Sequence, residues 1–135
     1  MRRLDWTINA VTANENPSDS CFIVGISADE YGDDGHFIFQ SGLNDPSEQD
    51  RRLGLDTYCV LNEEARVSYG CIKKVTLSPT KIQFEFSAEA AARFELPDQE
   101  IEIDIAPEVD ISPLRNGLQR VLTYGNPNKI PEMNL

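Results

Sequence analysis

The stretch Lys73-Lys74-Val75-Thr76-Leu77-Ser78-Pro79-Thr80-Lys81-Ile82-Gln83-Phe84-Glu85-Phe86 decides the fold class. Lys73 to Leu77 and Ile82 to Phe86 read as two short strands, with Ser78 to Lys81 as the turn between them. Pro79 fixes that turn, because its ring holds φ near about −65°. Ile82, Phe84 and Phe86 fall on one face of the second strand, and Gln83 and Glu85 on the other. A period of two marks a strand with one face in a core and the other in water.

Outward from this hairpin the same pattern recurs. Downstream, Ser87 can cap a short Ala-rich helix running through Phe94, which Pro97-Asp98 ends. Ile101, Ile103 and Ile105 then alternate with Glu100, Glu102 and Asp104, predicting another strand. Ser112 as N-cap, Pro113 at the first helical position and Gly125 past the end frame a second helix. Its Leu114, Leu118, Val121 and Leu122 form one apolar stripe, and Gly117 within it implies close packing. Upstream, Trp6 to Ala13 reads as one first strand, Asn14 to Asp19 as a turn, and Cys21 to Ser27 as a central strand. His36 to Gln40 follows, with Asp34-Gly35 suiting the positive φ of a hairpin turn. Asp56 to Asn62 and Val67 to Cys71 flank a hairpin loop at Glu63 to Arg66. Ser41 to Gly54 is the longest loop, with a helical turn able to start at Asp45 or Ser47. The expected fold is α+β: an antiparallel β-meander sheet with two helices packed on one face. Residues 1–125 make a single domain, and residues 126–135, with Pro127 and Pro131, an extended C-terminal tail.

The chain has 135 residues, 40% of them hydrophobic, which fits one domain with its own core. Such a chain hides about 68% of its unfolded surface. Its 23 Asp and Glu against 12 Lys and Arg leave a formal charge of −11. That charge repels phosphates, so nucleic acid and anionic membrane are not expected partners. Met1-Arg2-Arg3 is followed by Asp5, Trp6, Thr7 and Asn9, so a secretory signal is not expected. Cys21, Cys59 and Cys71 are odd in number, lack CxxC spacing and sit in apolar runs. They read as small buried hydrophobes in a reducing compartment.

No residue set predicts catalysis, a metal or a cofactor. His36 is the single histidine, and Asp56 and Cys59 point to opposite faces of one predicted strand. Asp29 to Gly35 resembles a calcium loop only superficially, because Tyr31 stands where a ligand belongs. The sequence has no P-loop, no GxGxxG after a strand and no GxSxG.

The negative charge is instead concentrated. Asp29, Glu30, Asp33, Asp34, Asp45, Glu48 and Asp50 occur in a span without Lys or Arg. Glu95, Asp98, Glu100, Glu102, Asp104, Glu108 and Asp110 occur in a second such span. One reading is a solvated outer face that resists aggregation. The other is an anionic docking surface for a basic protein, which would steer association. On the second reading Asp29, Glu30, Asp33 and Asp34, with Glu100, Glu102 and Asp104, are the candidate contacts.

The run Glu48 to Val60, followed by Tyr69-Gly70-Cys71-Ile72, resembles the immunity protein 10 family of bacterial polymorphic toxin systems. The similarity covers roughly residues 20 to 123, and its most specific block is Asp56-Thr57-Tyr58-Cys59. Gly54, Asp56, Thr57, Tyr58, Cys59, Tyr69 and Gly70 carry the family motif. Two positions depart: Leu55 where Met is expected, and Cys71 where a second Gly is expected. The resemblance implies a cytoplasmic α+β protein that binds and neutralises a cognate toxin, without catalysis. Within the motif, Asp56 is placed to accept hydrogen bonds from the turn containing Gly54, and Tyr58 offers an apolar body with a polar tip. The alternative is a small ligand-binding or self-associating domain, with the Ser41–Gly54 loop closing a pocket near Tyr58 and Tyr69. A homo-oligomer is compatible with either.

Overall fold

The computed structural model describes residues 1–30 and 34–135. The strands are β1 (Arg2–Ile8), β2 (Ala10–Asn16), β3 (Cys21–Ser27), β4 (His36–Gly42), β5 (Cys59–Asn62), β6 (Val67–Tyr69), β7 (Ile72–Leu77), β8 (Lys81–Phe86), β9 (Glu100–Ile105) and β10 (Glu132–Asn134). The helices are α1 (Glu48–Leu53), α2 (Ala88–Arg93) and α3 (Ser112–Leu122). The strands form two five-stranded sheets, ordered β1-β9-β8-β7-β10 and β2-β3-β4-β5-β6. The second sheet is an antiparallel meander in chain order. The first keeps β7-β8-β9 antiparallel and adds parallel edges, β1 on β9 and β10 on β7.

The fold is therefore α+β, but it has two sheets rather than one. The alternation in 73–86 specifies a buried face and says nothing of what covers it. Here the cover is the other sheet. Phe39 of β4 stacks on Phe84 of β8 with ring centroids 5.5 Å apart, and Phe37 lies 5.9 Å from Phe86. Phe94, just beyond α2, sets its edge against both Phe37 and Phe86. Aromatic pairs at these spacings add to the stabilisation from buried area alone.

The helices do not share a face. α3 contacts β2, β3 and β4, while α2 lies beside β6, where Arg66 and Arg93 each donate to a carbonyl of the other's segment. Gly117 faces Val24 and Ala13, so a Cβ there would meet Val24 Cγ2 at 2.6 Å. The close approach implied by a glycine in mid-helix is thus present. α3 starts at Ser112, one residue before the expected first turn, and Asp110 Oδ1 accepts from the Ser112 N–H. α1 is a third helix within the Ser41–Gly54 loop. Ser47 caps it, in a box with Asp50, and Gly54 closes it at φ 73°.

The expected first strand is split. Asn9 interrupts it, donating its backbone N–H to the Ser27 carbonyl and its Nδ2 to the Ala28 carbonyl. β1 therefore stays in one sheet and β2 enters the other. Strand periodicity continues through Asn9, so the break is invisible as a pattern. The last ten residues are not one extended run: Pro127–Lys129 form a 3-10 turn, capped by Asn126, whose Oδ1 accepts from the Asn128 N–H, and only then do Glu132–Asn134 pair with β7. Asp33 and the hairpin around Tyr31 and Gly32 fall outside the described residues.

Candidate functional site

The two outward faces of the sandwich differ in kind. On the first sheet, Glu100, Glu102 and Asp104 point outward while Ile101, Ile103 and Ile105 are buried. Their neighbours are cations. Arg3 lies 3.6 Å from Glu102 and 3.7 Å from Asp104, and Lys81 lies 3.3 Å from Glu102. Gln83 Nε2 donates to Glu102 at 2.9 Å. That hydrogen bond first, then Lys81 and Arg3, hold the Glu102 carboxyl below the usual carboxylate range against an opposing desolvation. Lys74 reaches Glu132 at 3.3 Å on the same sheet. Exposed pairs of this sort contribute little to stability, but they neutralise charge locally.

The outer face of the second sheet is made differently. Pairing registers set Thr12, Gly25, Ile38, Leu61 and Val67 in one cross-strand row. Asn14, Ile23, Gln40, Cys59 and Tyr69 make the next. Neither row contains Asp, Glu, Lys or Arg, in a chain that is 26% charged. Ile23, Ile38, Leu61 and Val67 are half-buried and Tyr69 is 43% exposed. At Gly25 the face dips into a shallow groove of about 200 Å³ lined by Thr12, Ile38, His36 and Glu30. Leu53 and Leu55, at the end of α1, are exposed as well.

The hairpin acids border this second face. Glu30 is exposed at the groove, Asp29 is half-buried, and its backbone carbonyl accepts from Ser27 Oγ at 2.6 Å. Asp34 is exposed but turns toward a cleft between Trp6 and the Arg2–Arg3 segment. The six described candidate contacts therefore do not form one surface. Glu100, Glu102 and Asp104 lie on one sheet's outer face, and Asp29, Glu30 and Asp34 lie at an end of the other.

The motif residues come together at the junction of the sheets. Tyr58 is wholly buried, and its hydroxyl accepts from the Ile72 N–H at 2.9 Å and donates to the Ile72 carbonyl at 3.3 Å. Burial pushes the Tyr58 phenol well above its ordinary value. Gly70, at φ 56°, turns the chain from β6 into β7 and donates its N–H to the Tyr58 carbonyl. Cys71 is buried behind it, so the departure from glycine falls on a position that takes a side chain. The Asp56 carbonyl accepts from the Asn126 N–H at 2.7 Å. The turn before it closes through Asp50 instead, whose carbonyl accepts from the Leu55 N–H at 2.8 Å. Thr57 is buried with no hydrogen-bond partner for its hydroxyl among the described residues. Cys59 is buried and Gly54 caps α1. Tyr58 is sealed in the core, while Tyr69 borders a cleft of about 460 Å³ with Ser68, Gly70, Cys71, Arg93 and Lys129. Among the motif residues Gly54 and Tyr69 are exposed.

The model of the family described as Immunity protein 10 matches residues 7–112 of the chain. The chain belongs to the Immunity protein 10 family. That match spans the motif junction, the whole second sheet, and β7, β8 and β9 of the first. No curated protein and no solved structure matches this Immunity protein 10 chain. Sequence reasoning missed the uncharged face. Its signal was present in the lack of charge at alternate positions of β3, β4 and β5, but the facing sheet had to be known first. Among the described residues, no helix is long and apolar enough to cross a membrane.

Proposed function

We propose that this chain is an immunity protein that binds and neutralises a cognate bacterial toxin by protein–protein contact. The observation that carries the reading is family membership across residues 7–112. The family's description also points to a role other than catalysis. Charge supports a basic partner: at −11 the chain attracts a cationic surface from a distance, and steering raises association rates.

Asp29, Glu30, Asp33 and Asp34 are the proposed steering contacts at the hairpin. Glu100, Glu102 and Asp104, on the other sheet, are the rival contact set. For Glu102 and Asp104 a partner must displace Arg3 and Lys81, which are open to water, although the Glu102 side chain itself is only 14% exposed. The test is calorimetric titration of the purified chain into the C-terminal domain of each protein encoded by the genes that flank its own. A one-to-one complex is expected. No heat and no co-elution would contradict the reading.

A further inference from the structure

We infer that the toxin seats on the outer face of the second sheet, bringing an apolar patch that carries a lysine or arginine. The inference rests on the toxin-binding reading above and selects one of the two faces.

Three observations carry it. The first is the contrast between the faces. On the outer face of the first sheet Glu102 and Asp104 pair with Arg3 and Lys81, while Glu85 and Glu100 lie opposite each other. The outer face of the second carries Ile23, Ile38, Leu61, Val67 and Tyr69 with no Asp, Glu, Lys or Arg among them. An interface core is depleted of charge and ringed by polar groups, and aromatic residues are enriched there. Exposed apolar patches with a polar rim mark interaction sites.

The second is the sign of the rim. Glu30 stands over the Gly25 groove, Glu63 and Glu64 are exposed at the β5–β6 turn, and Asp45 and Glu48 are exposed beyond β4. Of the cations nearby, Arg66 lies 3.0 Å from both Glu64 and Glu95 and Arg52 lies 3.7 Å from Glu48, while Lys129 stands beside Gly70 at the Tyr69 edge. An acidic rim around an apolar centre selects a partner that is basic at the edge. The Gly25 groove gives that partner an anchor. The stem of a lysine or arginine fits between Thr12 and Ile38, and its charged head then reaches Glu30.

The third is size. Five strands at about 4.8 Å spacing give a face roughly 20 Å on a side, on the order of 400 Å². A standard interface takes about 800 Å² from each partner, so the rim must be covered together with the apolar centre. Apolar contact and acidic rim then act as one surface.

The test measures affinity for the C-terminal domains of the proteins encoded by the flanking genes, comparing wild type with Ile38→Lys, Tyr69→Ser, Glu30→Gln and the triple variant Glu100→Ser, Glu102→Ser, Asp104→Ser. Circular dichroism and the urea midpoint establish that each variant is folded. Tyr69 is exposed at the edge, so Tyr69→Ser carries the test if Ile38→Lys unfolds. The expected result is a loss of about 100-fold for Ile38→Lys and at least about 10-fold for Tyr69→Ser and Glu30→Gln. The triple variant is expected within about threefold of wild type. Tight binding by wild type and by folded Ile38→Lys and Tyr69→Ser overturns the seat and leaves the toxin-binding reading standing. Loss confined to the triple variant does the same and moves the toxin to the other face. A wild-type dimer that Ile38→Lys dissociates gives the face to a second copy and overturns the proposal. No complex with wild type overturns the toxin-binding reading and the seat with it.

Discussion

The Tyr58 hydroxyl bonds both backbone groups of Ile72, accepting from its N–H at 2.9 Å and donating to its carbonyl at 3.3 Å. Tyr58 leads into β5 of one sheet and Ile72 opens β7 of the other. One side chain therefore ties the sheets together where the chain crosses between them. Tyr58→Phe leaves an N–H and a carbonyl unsatisfied in the core, which costs about 1–3 kcal/mol. Urea unfolding checks this: the midpoint should fall with the slope unchanged. An unaltered midpoint would show that the pair is dispensable.

Gly117→Ala sets two effects against each other. Helix propensity favours alanine by about 1 kcal/mol. Against that, the new methyl would sit 2.6 Å from Val24 Cγ2 and 3.3 Å from Ala13 Cβ. Neither neighbour is the free end of a long side chain, so α3 must shift, and overpacking of this kind costs about 1–3 kcal/mol. The net prediction is destabilisation, read as a lower melting temperature. A rise would mean that α3 moves outward freely.

Stability should decline at alkaline pH. Burial raises the Cys59 thiol from 9.0 to about 11 and the Cys71 thiol from 9.0 to about 12. In the folded chain these thiols hold their protons when the unfolded chain has begun to lose them. Their contribution is therefore complete below pH 9 and is lost as pH rises through 11 and 12. Tyr58 acts in the same direction. Melting temperatures measured upward from pH 8 should fall, and Cys71→Ala should flatten that fall whatever its effect at pH 8. An equal slope in the variant would count against burial of Cys71 as a cause.

The three thiols should also resist an aromatic disulfide reagent in the native state, since Cys21, Cys59 and Cys71 are 4%, 8% and 3% exposed. All three should react once urea unfolds the chain. Prompt reaction of one thiol without urea would show that its segment opens locally.

Much of the fold was legible in period and turn chemistry. The alternation of Ile82, Phe84 and Phe86 and of Ile101, Ile103 and Ile105 gave β8 and β9, and Ser87 gave the start of α2, its Oγ accepting from the Ala90 N–H. The second sheet was not legible, because alternation fixes which side of a strand is buried but not what lies on it. The break at Asn9 was hidden because hydrogen bonding, not hydrophobicity, makes it. Charge clustering was legible, but its meaning depended on register. Glu102 and Asp104 face Arg3 only because β1 lies parallel to β9, and no local pattern announces a parallel edge from the N-terminus.

Association with a basic partner should depend strongly on salt. The Debye length falls from about 30 Å at 0.01 M to about 8 Å at 0.15 M. On-rates measured across that range should drop steeply while dissociation changes little. A flat on-rate would remove steering by the acidic residues from the account.

The central claim, that this member of the Immunity protein 10 family neutralises a toxin by binding it, is tested most directly by growth. The C-terminal domain of each protein encoded by the flanking genes is expressed in a bacterial host with and without this chain. The account predicts arrest with the toxin domain alone and restored growth, with a complex recoverable from the cells, when both are expressed. Arrest that persists with the folded chain present, and no complex in solution, would contradict it.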